Sequence, residues 1–284
     1  MERVKAMILG VSGLLGKALL QEWKDESLYC PSSREVDILD LGALAAGVAR
    51  SCPEWIILSA AYTDVDGCET RPDLAFSVNR DGAVNVAKAA KRVGAKLLFL
   101  SSDYVFNGKK NSPYETDDAR DPQSIYGRSK AEAEVRLLDS LPGCCIVRTS
   151  WLFGTGGKCF PNTILKIAAD RPVLEVVSDQ RGCPTYAPDL ARAIISLCHK
   201  DASGIVHATN AGECSWFEFA KEILKRAGLT NEVKPISSKQ IARPAPRPAY
   251  SVLSARSLAP WQVSMPAWQD ALDSYLLESQ FMRR

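Results

Sequence analysis

A phenol and an amine four residues apart are where chemistry in this chain begins. Tyr126 and Lys130 stand in the run Tyr126-Gly127-Arg128-Ser129-Lys130, and on a helix residues four apart share a face. An ammonium held near a phenol favours the phenolate and lowers the phenol from its usual pKa of ~10. Such a pair can exchange a proton with an alcohol or a ketone near neutral pH, which is general acid–base work. Many Tyr-x-x-x-Lys pairs simply face solvent, so this spacing selects a function only if other elements position it.

Residues 4–9 have the apolar run of a buried strand. They lead into Gly10-x-x-Gly13-x-x-Gly16 and a helical pattern to about Lys24. A strand, a glycine turn and a helix N-terminus together form a pyrophosphate site. Gly10 permits the tight turn, Gly13 the approach of phosphate, and Gly16 close packing of helix on strand. Ser12, Leu14 and Leu15 share this stretch and complete the expected cofactor turn. After a second strand near 28–30 the chain offers Pro31-Ser32-Ser33-Arg34 instead of an acid. The Ser32 and Ser33 hydroxyls and the Arg34 guanidinium suit a 2′-phosphate better than a bare diol. NADPH is therefore expected, with NADH possible, and Asp37 and Ile38 are placed at the adenine.

A helix over 41–51 and a strand over 55–59 bring Ala60-Ala61-Tyr62-Thr63 to a strand's carboxyl end, where open α/β sheets bind ligands. Asn79 interrupts an otherwise apolar-periodic helix over 72–93, as an exposed residue or as a buried polar group near the lysine. A strand over 96–100 delivers Ser101-Ser102-Asp103-Tyr104 to the same edge, and a helix opening near Ser124 presents Tyr126 and Lys130. Strands alternating with helices predict an α/β chain with a Rossmann-like, doubly wound parallel sheet.

The chain has 284 residues, 46% hydrophobic and 24% charged, a composition ordinary for a globular protein. Its formal net charge of +2 argues against nucleic acid or an anionic membrane as a partner found by bulk charge. Nine cysteines without a Cys-x-x-Cys, beside two histidines, suit reduced thiols and offer no zinc constellation. Residues 6–20 follow charged Glu2, Arg3 and Lys5 in the outline of a signal peptide. Lys17 and the recurring glycines break that outline, and no later segment is as apolar as a membrane span. A cytoplasmic protein without a bound metal is expected.

Gly10-x-x-Gly13-x-x-Gly16, Ser102 and Tyr126-x-x-x-Lys130, in this order, resemble the extended short-chain dehydrogenase/reductases. The strings AAYTDVDGCE (60–69), SSDYVFNG (101–108), RTSWLFG (148–154), VVSDQRGCPTY (176–186) and CSWFEFA (214–220) narrow this to the dTDP-4-dehydrorhamnose reductase family. Arg247-Pro248 and Trp268 fit that family's ending, so the resemblance runs from residue 4 to about 275.

Further residue patterns fill the second half: a helix over 160–169, a strand over 174–177, a polar loop over 179–186, a helix over 188–199 and a strand over 204–209. Ser215 is expected to cap a helix to about 227, with Glu218 completing a capping box. The proline-rich segment 239–250 carries Arg243 and Arg247, either as a surface crossing or as guanidiniums suited to a diphosphate.

The resemblance implies an NADP-binding domain over 1–150, with returning segments from about 174–210, and a mainly substrate-binding lobe over 151–284. It implies NADPH-dependent reduction of the C4 ketone of dTDP-4-dehydro-β-L-rhamnose by a monomer or homodimer. Ser102, Tyr126 and Lys130 would be catalytic. Thr63, Val65, Ser102, Asp103, Tyr104, Trp151 and Arg247 would meet the dTDP-sugar, Trp151 either facing the sugar ring or lying in the interlobe core. Two departures stand out: serine at 102, where the family usually carries threonine, and Ala18, where some members place a glutamate that helps a metal bridge two subunits. A related nucleotide-sugar enzyme of this fold, another 4-ketoreductase, or a non-catalytic NADP-binding regulatory subunit remain alternatives.

Overall fold

The computed structural model describes residues 5–24, 27–279 and 281; Val4 of the expected first strand, with Glu2 and Arg3, lies outside them. In β1 (Ala6–Leu9), Ala6 and Ile8 enter one buried cluster while Met7 and Leu9 enter another. That alternation marks a strand covered on both faces. The chain continues through α1 (Leu14–Glu22), β2 (Leu28–Tyr29), α2 (Leu41–Ser51), β3 (Trp55–Leu58), α3 (Val65–Thr70), α4 (Pro72–Phe76), α5 (Gly82–Val93) and β4 (Lys96–Ser102). It goes on through α6 (Ile125–Ser140), β5 (Cys145–Thr149), β6 (Leu152–Phe153), α7 (Phe160–Asp170), β7 (Val173–Val177), β8 (Arg181–Gly182) and β9 (Thr185–Tyr186). The last elements are α8 (Ala187–His199), β10 (Gly204–His207), β11 (Cys214–Ser215), α9 (Trp216–Arg226), β12 (Glu232–Ile236) and α10 (Trp268–Glu278).

The main sheet has six strands in the order β2-β1-β3-β4-β5-β10, and every pairing is parallel. Helices α1 and α8 cover one face with Leu15, Leu19, Leu190 and Ile194, while α2, α5 and α6 cover the other with Leu44, Val86 and Leu137. This is the expected doubly wound α/β sheet. Its order reverses between β1 and β3, so the cleft opens at their carboxyl ends. The last strand, β10, comes from the second half of the chain, whereas β7 pairs with β12 outside this sheet. A further core of Phe153, Ile164, Phe219, Trp268, Leu272 and Tyr275 gathers β6, α7, α9 and α10 into the second lobe.

Local signals explain most boundaries. Asp40 caps α2 by accepting from the Gly42 and Ala43 amides, and Ser215 and Glu218 form a reciprocal capping box on α9. The expected continuous helix over 72–93 is instead broken by a π-helical turn, Ser77–Asp81, which carries Asn79. The expected polar loop over 179–186 contains β8 and β9. Among the described residues no helix is long and apolar enough to cross a membrane.

Candidate active site

Two elements bring Ser102, Tyr126 and Lys130 together. β4 ends at Ser102, and α6, capped by the Ser124 hydroxyl on the Gly127 amide, presents Tyr126 and Lys130 in its first turns. The Tyr126 phenol lies near enough to Ser102 for that hydroxyl to act on its ionisation. Ser102 Oγ donates to Asp103 Oδ1 (2.8 Å) and accepts from the Tyr104 amide (3.2 Å). Lys130 Nζ donates to the carbonyl of Leu100, two residues before Ser102 (2.9 Å), and lies 4.6 Å from the centre of the Phe99 ring. Hydroxyl, phenol and amine therefore share one end of the sheet.

The charge balance differs from the expectation drawn from spacing. Burial pushes the Tyr126 phenol above its usual 10, the Ser102 hydroxyl opposing only in part. Burial pushes Lys130 down to about 7, against the nearby Glu134 carboxylate. The lysine points at a backbone carbonyl, so desolvation governs both groups. Tyr126 is thus a protonated phenol at neutral pH, the form that donates.

Asn79 is buried and holds the backbone of Tyr62 from both sides. Its Oδ1 accepts from the Tyr62 amide (2.8 Å), and its Nδ2 donates to the Tyr62 carbonyl (3.1 Å) and to Ser129 Oγ (2.9 Å). The π turn aims this amide across to α6 beside Lys130, and such turns recur at functional sites.

The glycine turn after β1 is formed as its glycines require. Gly10 has φ +102°, and a Cβ on it would overlap the Ala60 amide; one on Gly16 would overlap the Gly10 carbonyl. A Cβ on Gly13 would meet only the Gly10 carbonyl, at ordinary contact distance (3.5 Å), and Ser12 and Gly13 are exposed. α1 starts without a side-chain cap or an acid in its first turn, so its N-terminal amides are available to an anion. Leu14 is half-buried at this start and Leu15 is packed into the sheet face. These features fit a dinucleotide pyrophosphate.

Beyond β2, Ser32, Ser33 and Arg34 are exposed. Glu35, which the sequence reading passed over, accepts from both the Ser32 amide and its hydroxyl (2.8 Å each). Asp37 turns its carboxylate onto the Leu39 amide, and Ile38 is buried against Gly82. Ala60, Ala61 and Tyr62 follow β3 as half-buried residues on the same edge.

On the opposite side Thr63 is exposed, and Val65 opens α3 behind its cap Asp64. Asp103 is buried, and burial raises its carboxyl to about 6 against the hydroxyls of Ser251 and Ser102. Tyr104 meets the Tyr126 ring edge-on (5.6 Å). Arg247 forms a forked ion pair with Asp66, its Nη2 2.7 Å from Oδ2, and also hydrogen-bonds Tyr104. Arg247 thus ties the proline-rich segment to α3, and Asp66 was missed although it follows Val65 directly. Trp151 has φ +47°, a strained backbone for a bulky residue. Its ring stacks on Trp216 (3.4 Å between centroids, 7° between planes), and Gly182 sits so close that a Cβ there would collide with the indole. Among the described residues no group of three His, Cys, Asp or Glu could hold a metal ion.

Comparison with known proteins agrees with this geometry. The family described as RmlD substrate binding domain matches residues 4–281. The spore coat polysaccharide biosynthesis protein SpsK of Bacillus subtilis (strain 168) is 38% identical over 276 residues, covering 96% of this chain and 97% of that one. A dTDP-4-dehydrorhamnose reductase of Mycobacterium tuberculosis (strain H37Rv) is 38% identical over 264 residues, 90% of this chain and 86% of that one. Among solved structures, a dTDP-4-dehydrorhamnose reductase from Bacillus anthracis in complex with NADP superposes with a TM-score of 0.94 at 37% identity, covering 97% and 99% of the two chains. Matched over nearly its whole length, the chain belongs to this RmlD family, that of the dTDP-4-dehydrorhamnose reductases.

Proposed function

We propose that this protein reduces the C4 ketone of dTDP-4-dehydro-β-L-rhamnose to the alcohol, giving dTDP-β-L-rhamnose. The observation that carries this reading is the buried, protonated Tyr126 phenol next to Ser102, with Lys130 one turn on along the same helix, on the edge where α1 offers uncapped amides. The α1 amides and the Gly10–Gly16 turn would hold the pyrophosphate of NADPH, and Ser32, Ser33 and Arg34 its 2′-phosphate. When bound, NADPH supplies the hydride that reduces C4.

Tyr126 donates its proton to the oxygen on which negative charge develops. Ser102 polarises the same oxygen, its hydroxyl exchanging the Asp103 carboxylate for the ketone. Lys130 orients the nicotinamide ribose and stabilises the phenolate that proton transfer leaves. Asn79 fixes Tyr62 and, through Ser129, the turn of α6 that carries the lysine. Asp103, Tyr104, Thr63, Val65 and Trp151 line the sugar side, with Arg247 holding that wall through Asp66.

Residues 1–150 with returning segments from about 174–210 would carry the cofactor, and 151–284 mainly the sugar nucleotide. The free cysteines support a cytoplasmic setting. Replacing Tyr126 by Phe keeps the ring and removes the donor. Turnover, followed by NADPH absorbance with the product identified by NMR, should fall ~10²-fold or more while NADPH still binds. Undiminished turnover in that variant, or a wild-type product of opposite C4 configuration, refutes the assignment.

A further inference from the structure

Behind Ser102, Tyr126 and Lys130 lies a buried pair of charges, with a half-buried third at its edge. Glu134, one helical turn beyond Lys130 on α6, is inaccessible to solvent, and so is Arg148 on β5. The Glu134 carboxylate receives Ser101 Oγ and Arg148 Nε (2.9 Å) on Oε1, and Arg148 Nη2 (2.6 Å) and Arg120 Nε (2.6 Å) on Oε2. Arg148 Nη1 also donates to the Thr116 carbonyl (3.2 Å) and meets His207 Nε2 at 3.3 Å.

A buried ion pair is a weak stabiliser compared with well-packed apolar groups, and its best-attested service is to fix one register. The registers joined here are those of the site. Ser101 faces Arg148, and Ser102 faces Thr149, across the β4–β5 pair. The knot therefore ties the end of β4 to the face of α6 that carries Tyr126 and Lys130. A slip of 1 Å between these elements is enough to slow a proton transfer markedly.

From this geometry we infer that Glu134 is the positioning residue of the reductase site: through Ser101 it holds the Ser102 hydroxyl against the Tyr126 phenol, and it supplies the negative charge that faces the buried Lys130 ammonium. The inference rests on the reductase reading above. The ionisable groups acting on Lys130 are Glu134 on its own helix and Cys68 on α3, whose thiol burial pushes up to about 11 and which is therefore neutral. Glu134 in turn faces Arg148, Arg120, Ser101, Cys144 and His207. Burial opposes its ionisation, but the guanidiniums and Ser101 outweigh it and hold the carboxyl below its usual range.

Two substitutions in the full chain separate the two roles, assayed with NADPH and the ketosugar beside the wild type. Glu134→Gln keeps the shape and removes the charge. Its kcat should fall roughly tenfold or more with KM for NADPH within about twofold. The alkaline limb of its kcat/KM profile should move about one pH unit lower, because Lys130 loses its proton earlier. Ser101→Ala keeps the charge and cuts the tie, so kcat should fall severalfold with the limb unmoved. A lowered plateau in Glu134→Gln with the limb in place, or Ser101→Ala equal to wild type, overturns the inference.

If the unpaired guanidinium unfolds Glu134→Gln, the double variant E134Q/R148M removes it. The carboxylate is the charged group that acts on Lys130, so the limb should still move lower, by less than in the single variant because a cation is lost as well, and an unmoved limb refutes the role. Lack of wild-type turnover would instead refute the reductase reading. The Lys130 midpoint, followed by NMR of labelled lysine with NADPH bound, would then decide: an unchanged midpoint in the Gln variant ends the proposal.

Discussion

On the floor of the cleft, Ser102, Lys130 and Asn79 are buried and each is hydrogen-bonded to the protein. Along the rim, Ser12, Gly13, Ser33 and Arg34 are exposed, and α1 begins without a side-chain cap. The floor is organised by the fold, so its electrostatics are set before any ligand arrives. The rim is a set of donors whose partners a ligand must supply. Substitutions on the floor should therefore change rates, and those on the rim should change affinities.

The sharpest way to break that contrast is Gly16→Ala. Alanine favours a helix over glycine by up to about 1 kcal/mol, but here its methyl meets the Gly10 carbonyl and the Val11 backbone, which cannot yield as a side chain could. We expect a loss of NADPH affinity of ~100-fold or a destabilisation of about 3 kcal/mol, read by cofactor titration and thermal melting. Wild-type values for both would show that the turn is looser than its geometry.

Next in size is Arg34→Ala, expected to raise KM for NADPH about tenfold while leaving that for NADH nearly unchanged. Glu35→Gln should favour NADPH further, since Glu35 brings a negative charge to Ser32 where the 2′-phosphate would lie. An equal change for both nucleotides would place the 2′-phosphate elsewhere.

A further test reads the buried charges behind the floor through pH. Burial, then the neighbouring Arg148, lowers His207 from 6.5 to about 3, so the native chain refuses a proton that the unfolded chain accepts below pH 6.5. The stability contributed by neutral His207 is complete above that pH and is lost as pH falls toward 3, with a slope approaching about 1.4 kcal/mol per pH unit. His207→Gln should flatten the fall of the melting temperature between pH 6.5 and 5. Parallel curves would mean that the histidine titrates freely.

The sequence was legible where periodicity and capping are local. The helix over 41–51 and the Ser215–Glu218 capping box were readable because a few neighbouring residues decide them. Ser102, Tyr126 and Lys130 were legible through the motif that orders them. Asp66 escaped notice because its partner Arg247 is 181 positions away. Glu134 was hidden differently: a glutamate on a helix reads as a solvated residue until the fold places Arg148 across from it. The pKa of Tyr126 was misjudged because spacing reveals a neighbouring charge but not the depth of burial, and burial prevails. Trp151 was foreseen as a ring facing sugar or core; in the structure one face belongs to Trp216.

The sixth strand of the sheet has a consequence for how the molecule comes into being. β10 closes the edge of β5, and α8 covers the bare side of α1, yet both are synthesised after residue 186. A nascent chain ending near residue 150 would leave an apolar strand unpaired and half the sheet wet. The sheet can therefore be completed only after β10 has been synthesised, and a fragment ending near residue 150 is expected to aggregate.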